Sequence, residues 1–335
     1  MQKVADPGRY FSKRVGETRL GETLHWFTHG EYRDFLKQAS DAGCQVVLLG
    51  IPESIGPVAN HGFGGAENGW DSFLNAFANI QHNSYLPGGK VAVVGTPDLS
   101  QVLKAYSRLE KHDLESARKL VVEVDKMVFD ALLPVFECGM VPVVIGGGHN
   151  NAYPLIKAAA TARNSGIQVI NCDPHADFRI LEGRHSGNGF SYAMEEGYLN
   201  RYLVIGLHQS YNSEEMLTRM EENQNVHFTF FDEEPIPAYS LQQAASFLDD
   251  SVPCGIELDT DAIAGFPASA KTPLGISLKE AIAYLKSACE LFTPAYIHLP
   301  EAAPPPAESK YTGKALSYMV TTTIKSILSK KTASN

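Results

Sequence analysis

Four short stretches of this chain carry residues able to do chemistry at close quarters: Gly146-Gly147-Gly148-His149-Asn150, Asp173-Pro174-His175-Ala176-Asp177-Phe178-Arg179, Asp259-Thr260-Asp261 and His298-Leu299-Pro300-Glu301. In extended backbone, side chains at i, i+2 and i+4 point the same way, which sends Asp173, His175 and Asp177 to one region and pairs Asp259 with Asp261. Four carboxylates and the imidazoles of His149 and His175 gathered in one crevice would repel and lose solvation unless cations neutralised them. Six ligands are too many for one four-coordinate ion and enough for two, with carboxylates shared. The oxygen-rich, sulfur-free donor set favours Mn2+, with Fe, Co, Ni and Zn as alternatives. Each motif alone has a plainer reading: a solvated loop for Asp-x-His-x-Asp, a flexible turn for the glycines, a helix cap for Asp-x-Asp. Together, each after a β-rich run, they point to one site.

The runs that must position them are eight in number, at 46–50, 91–95, 141–145, 167–171, 202–206, 226–230, 255–259 and 295–299. Their near-continuous apolar character fits strands covered on both faces. Between them lie helical patterns, clearest over 113–136, where Leu120, Val121, Val124, Met127, Val128 and Leu132 keep helical spacing and Gly139 follows as a stop. Further helices are expected at 31–42, 150–163, 241–248, 277–291 and 312–329. Strand and helix alternating along the chain predict a doubly wound parallel sheet with helices on both faces, and in such folds ligands collect beyond the carboxyl ends of the strands. No repeat or linker interrupts the pattern, and the Pro-rich stretch 300–306 is too short for a hinge, so one domain over 1–335 is expected, with residues 1–40 as an N-terminal extension packed on it.

Composition narrows the class. The chain has 335 residues, 28 Lys plus Arg against 38 Asp plus Glu, a formal charge of -10 and 44% hydrophobic residues. That is ordinary globular composition and excludes disorder and collagen-like structure. No apolar run approaches the roughly 18 residues of a membrane span, and the N-terminus lacks a secretory apolar region, so the expectation is a cytoplasmic protein without membrane contact. An acidic balance with no Lys/Arg cluster argues against a nucleic-acid partner. The five cysteines (Cys44, Cys138, Cys172, Cys254, Cys289) have no CxxC spacing and read as reduced core thiols.

The motifs in this order resemble the ureohydrolase family of arginase, agmatinase and, nearest to this chain, formimidoylglutamase. The resemblance covers most of the chain and takes in Gly50-Ile51-Pro52-Glu53-Ser54, the segment from Asn60 to Ala66, Ser186-Gly187-Asn188, the stretch from Asp259 to Pro273, and Glu301-Ala302-Ala303-Pro304. It implies a three-layer α-β-α sandwich around a parallel sheet of about eight strands, and two Mn2+ per chain. His149, Asp173, Asp177 and Asp259 would hold one ion, and His175, Asp173, Asp259 and Asp261 the other. Two such ions lower the pKa of a shared water, giving a nucleophile for an amidine or guanidine carbon. Asp177 would accept a hydrogen bond from that water, and Glu301 would orient the substrate amidinium. A homo-oligomer is compatible with the family.

Departures from the arginase pattern bear on the substrate. Arginases carry an acid at the position of Gly148 and a proton-shuttling histidine where this chain has Phe190, and their carboxylate for the α-amino group is replaced within His208-Gln209-Ser210-Tyr211-Asn212. The Gly-Gly-Gly-His form and Arg179 resemble formimidoylglutamases instead. Arg179 offers a planar two-point fork to a substrate carboxylate, with a surface ion pair as its plainer reading, and Ser186 and Asn188 add neutral donors. N-formimidoyl-L-glutamate is therefore the first expectation, with L-glutamate and formamide as products. Guanidino-compound hydrolysis and a non-catalytic metal-binding relative are the alternatives. His298, His185 and His208 are candidates to replace the shuttle, with His298 preferred for its place three residues before Glu301. Asn60 and His61 are expected at the mouth of the site.

Overall fold

A computed structural model describes residues 1–110 and 113–333. Its centre is one sheet of nine parallel strands: β1 (His25–Trp26), β2 (Val46–Gly50), β3 (Val91–Gly95), β4 (Val141–Ile145), β5 (Ile167–Cys172), β6 (Leu199–Leu207), β7 (Val226–Phe230), β8 (Cys254–Leu258) and β9 (Pro294–Leu299). They lie in the order β1-β3-β2-β4-β9-β8-β5-β6-β7. Eight match the expected runs. The ninth is the edge strand β1, whose two residues pair with Ala92 and Val93 and are too few to leave a periodic signal.

Strand alternation sorts the core into two layers. Val46, Leu48, Val143 and Ile145 face one side, with the helices Gly69–Phe77, Leu278–Leu291 and Ser309–Ala333. Val47, Leu49 and Val144 face the other, with the helices Tyr32–Asp41, Leu114–Glu137 and Ala152–Arg163. The result is the expected three-layer α-β-α sandwich. Helix Leu114–Glu137 begins where Asp113 accepts a hydrogen bond from Ser116 N at 3.1 Å, and Gly139 stops it with φ +70°.

Two differences from the sequence reading have local causes. The helix expected at 241–248 runs instead over Pro237–Ala244, since proline is well placed in a first turn, and passes into a 3-10 turn at Ala245–Phe247. The helices Ile55–Ala59, Gly69–Phe77, Ser100–Tyr106, Gly189–Glu195 and Glu214–Glu221 were not expected, being at most nine residues long and too short to show a clear period. The five cysteines form no disulfide, and four of them are buried. Among the described residues, no helix is long and apolar enough to cross a membrane.

Order matters most at the middle of the sheet. The chain goes from β4 to β5 across a gap that β8 and β9 later fill, so β4, β9, β8 and β5 become neighbours. Their carboxyl ends carry the four motifs, and a crevice opens where the winding reverses.

Candidate metal centre and its crevice

His149 reaches the crevice through a loop only glycine can follow. Gly146 and Gly147 turn the chain with φ +82° and +72°. A Cβ at Gly148 would come within 2.2 Å of Pro57 Cδ and 2.5 Å of Asn150 Oδ1, so the acid arginases carry there has no room. Beneath the loop lies Glu53, fully buried. Its Oε1 accepts hydrogen bonds from Gly148 N (3.0 Å), Asn150 Nδ2 (3.2 Å) and Asn151 Nδ2 (2.6 Å), and its Oε2 from Ile55 N (2.7 Å) and Gly56 N (3.2 Å). Sequence reasoning missed Glu53 as an anchor. The available signal was a lone acid just past a strand.

The aspartates converge by loops, which corrects the alternation argument. β5 ends at Cys172, and Asp177 lies beyond it in the left-handed region, with φ +47°. Asp173 folds its own loop, accepting His175 N at 2.7 Å on Oδ1 and Asn171 Nδ2 at 3.0 Å on Oδ2. Asp259 follows β8 as the cap of a 3-10 turn, its Oδ1 accepting Asp261 N at 2.9 Å. The cap reading of Asp-x-Asp holds, and Oδ2 remains for the crevice.

There the side chains meet. His149 Nδ1 lies 2.9 Å from Asp259 Oδ2, 3.0 Å from Asp177 Oδ2 and 3.1 Å from Asp173 Oδ2. It is in hydrogen-bonding geometry with none of them. His175 Nδ1 lies 3.3 Å from Asp261 Oδ2 and 3.5 Å from Asp173 Oδ1. Two ligand groups form beneath the crevice, His149/Asp173/Asp177/Asp259 and Asp173/His175/Asp261, with Asp173 in both, and a third, His149/Glu257/His298, lies buried behind them. Asp259, expected in both, falls in the first alone. Crowding perturbs the carboxyls: burial, then Asp261 and Asp173, raise Asp259 well above the usual carboxylate range, and burial brings Asp261 to about 6. Burial and Asp173 raise Asp177. Asp173 is held low in spite of burial, by the imidazoles of His149 and His175 beside its carboxyl. A buried imidazole nitrogen facing three carboxylates without a hydrogen bond, and acids that resist ionising together, fit a pair of divalent cations.

Above this floor opens a cavity of about 440 Å³, lined by Asp177, Glu301, Arg179 and Ser186, and by Asn60 and His61 at the mouth. Glu301 is buried at its edge. Its Oε1 accepts His149 N at 2.6 Å and its Oε2 accepts the Ser269 hydroxyl. Burial, with Asp259 adding to it, raises its carboxyl to about 8. His61, Asp177 and Glu301 are three of the four non-glycine residues with positive φ among those described, at +64°, +47° and +64°. Strained backbone of this kind concentrates at functional sites.

The other expected contacts lie elsewhere. His298 is fully buried behind the floor, its Nδ1 2.6 Å from Glu257 Oε2, and cannot reach a substrate in the cavity. His185 is buried against Glu182 and Asn188 and lowered to about 4 by burial and Arg118. Asn188 spends its Oδ1 on Arg184 Nη1 (2.6 Å) and His185 N (3.1 Å). His208 is a stacking residue: His175 stacks on Tyr211, Tyr211 on His208, and His208 on Phe231, at centroid distances of 5.4, 5.0 and 4.8 Å. Local sequence signals cannot tell a strand-end histidine facing the crevice from one facing the sheet interior. Sequence reasoning also missed Tyr211 and Arg219, which line the cavity from a helix and loop distant in sequence from the motifs.

Comparison with known proteins gives concordant matches. A family model described as the arginase family matches residues 44–325. Formimidoylglutamase from Staphylococcus aureus is 27% identical over 237 residues, which is 70% of this chain and 69% of that protein. Among solved structures, formimidoylglutamase from Bacillus subtilis superposes with a TM-score of 0.73 at 17% identity, covering 94% of each chain. Trypanosoma cruzi formiminoglutamase, solved with Mn2+, gives 0.68 at 21% identity, covering 92% of this chain and 98% of that one. At such identities the structural likeness is one of fold.

Proposed function

The chain belongs to the arginase family, and from that premise we propose that it is a hydrolase dependent on two Mn2+ ions, cleaving a C–N bond of N-formimidoyl-L-glutamate to give L-glutamate and formamide. The observation that carries this reading is the pairing of floor and rim: two ligand groups sharing Asp173 beneath a cavity that holds two guanidinium groups, Arg179 and Arg219. His149, Asp173, Asp177 and Asp259 would hold one ion, and Asp173, His175 and Asp261 the other. When bound, the pair supplies the Lewis acidity that lets a water lose its proton near neutral pH.

The chain's own residues do the rest. Asp177, a ligand that also faces the cavity, would accept the proton of the attacking water and pass it to the leaving amine nitrogen of glutamate. This removes the need for the arginase shuttle that Phe190 replaces. Glu301, pinned by the His149 N–H and the Ser269 hydroxyl, accepts hydrogen bonds from the cationic amidinium and aims its carbon. Arg179 gives its Nε to Glu182 at 3.0 Å and keeps its two-pronged end for a substrate carboxylate. Arg219, set against the Phe178 ring with Nη2 donating to the Phe178 carbonyl, would offer its remaining N–H groups to the second carboxylate. Asn60 and Ser186, 3.3 Å apart, are neutral donors between rim and floor.

The test is product release by the Mn2+-loaded protein from formimidoylglutamate, arginine, agmatine and guanidinobutyrate. Formamide from formimidoylglutamate is expected. Hydrolysis of a guanidine alone would overturn the substrate, and no hydrolysis of any of them would overturn the reaction.

A further inference from the structure

Below the ligands, the centre of the sheet holds a row of polar side chains where apolar ones would be expected. His298 on β9 pairs in register with Glu257 on β8, and Glu257 with Asn171 on β5. All three are fully buried. The row is wired. Glu257 Oε1 accepts the Tyr296 hydroxyl at 2.7 Å, and Oε2 lies 2.6 Å from His298 Nδ1. Asn171 Nδ2 donates to the Tyr202 hydroxyl at 3.1 Å and to Asp173 Oδ2 at 3.0 Å. A carboxylate in a sheet core is expensive, and where packing alone is needed an apolar residue of similar size does as well. Nothing in the mechanism above uses Glu257.

Its orientation supplies a use. His149 presents Nδ1 to the three aspartates, and the opposite ring nitrogen, Nε2, buried and without a hydrogen-bond partner, faces Glu257 Oε2 at 3.5 Å. A neutral imidazole has one lone pair, and it sits on Nδ1 only if the hydrogen is on Nε2. A carboxylate facing Nε2 favours that choice, and a small closing movement would make the hydrogen bond by which the outer partners of metal-bound histidines also fix the ring's angle. Asn171 does the corresponding work for Asp173. We propose that Glu257 is a positioning residue for the metal centre: held by Tyr296 and His298, it fixes the tautomer and direction of His149 and so tightens the ion that His149 would bind. The proposal rests on the metal reading of the crevice.

The test is Mn2+ titration of the metal-stripped full chain and of Glu257→Gln, followed by electron paramagnetic resonance. Gln keeps the shape and removes the charged acceptor. The expected result is a 10- to 100-fold rise in Kd for one ion, the size usual for outer-sphere changes, with the other ion within about twofold of wild type. In the Zn2+-loaded proteins, the His149 Nε2–H proton resonance should be present in wild type and shifted upfield in the variant. Glu257→Asp, which keeps the charge and shortens its reach, should weaken the same ion; it decides the matter if circular dichroism shows Glu257→Gln unfolded. Unchanged affinity for both ions in a folded variant would overturn the proposal while leaving the metal reading intact. A wild-type chain that binds no Mn2+ would overturn that reading and this proposal with it.

Discussion

Two buried acidic sites lie on either side of the Gly-Gly-Gly-His loop, and the chain treats them in opposite ways. At the first, Asp125 is buried beside Arg184, which donates from Nε at 2.9 Å and from Nη2 at 3.3 Å. The same guanidinium bonds Asn188 Oδ1 and the Asn150 carbonyl, and lies over the Tyr153 and Tyr192 rings at 4.7 and 5.0 Å. At the second, the crevice floor, four aspartates meet two imidazoles, and among the described residues no Lys or Arg side chain bridges to them. The first carries its own cation. The second would take its compensating charge from bound cations, and the knot around Arg184 stiffens the loops that hold it, since Asn150 adjoins His149 and Asn188 ends the Ser186 turn.

Removing a charge should therefore have opposite effects at the two sites. Asp173 belongs to both ligand groups, so Asp173→Asn should leave at most one Mn2+ bound and lower turnover on the order of 10⁴-fold, about 5.5 kcal/mol at about 1.4 kcal/mol per decade. In the metal-free protein the stability test belongs to Asp259, whose charge burial, Asp261 and Asp173 all disfavour: Asp259→Asn should be no less stable than wild type. Metal analysis, the formamide assay and urea unfolding check this. Two ions and full activity in Asp173→Asn would erase the distinction. At the knot, Arg184→Met leaves Asp125 buried and alone, and unfolding free energy should fall by about 3–5 kcal/mol. Adding Asp125→Leu to Arg184→Met should restore most of that loss. A knot variant as stable as wild type would mean that Arg184 is not the compensating charge.

The floor was legible in the sequence and the knot was not. His149, Asp173, His175, Asp177, Asp259 and Asp261 each follow a run that could only be a strand, and a parallel sheet puts strand ends together wherever its order reverses. The conclusion outlived its reasoning: Asp177 arrives through a left-handed residue, and Asp261 through a turn that Asp259 caps. Arg179 and Arg184 are five residues apart in one loop, and nothing local says that Arg184 is buried while the Arg179 side chain is 52% exposed. His298 shows the same limit. It stands beside the motif in sequence but faces the sheet interior, a matter of which side of β9 carries it. The ring that does line the crevice, Tyr211, is reached from the end of β6.

Titration gives the floor a test of its own. In the metal-free protein Glu301 is raised from the usual 4.5 to about 8, and Asp261 from 3.8 to about 6. Both hold a proton in the folded chain that the unfolded chain has given up. Their contribution to stability is thus fully present below about pH 4 and is lost as pH rises, through about 6 for Asp261 and about 8 for Glu301, by at most about 1.4 kcal/mol per pH unit for each group. Mn2+ needs the ionised acids, and one ion at 100 times its Kd adds about 2.7 kcal/mol. The gap in Tm between Mn2+-loaded and EDTA-treated protein should accordingly widen from pH 5 to pH 8. A gap that narrows over that range would place the stabilising ions somewhere other than the floor.

The smallest effects belong to the rim, where water competes. Arg179→Ala and Arg219→Ala should each raise KM for formimidoylglutamate about tenfold, about 1.4 kcal/mol, with kcat nearly unchanged, because a carboxylate remote from the reacting carbon is gripped equally before and during reaction. N-formimidoylglycine, which keeps only the carboxylate next to the reacting nitrogen, sharpens the assignment. The arginine serving that carboxylate should matter for both substrates, and the arginine serving the distal one for formimidoylglutamate alone. Equal losses on both substrates from both variants would mean that the arginines act as a general positive field. A fall in kcat at constant KM would move them from the rim to the chemistry of the floor, against the division between an exposed grip and a buried ion-binding base from which both predictions start.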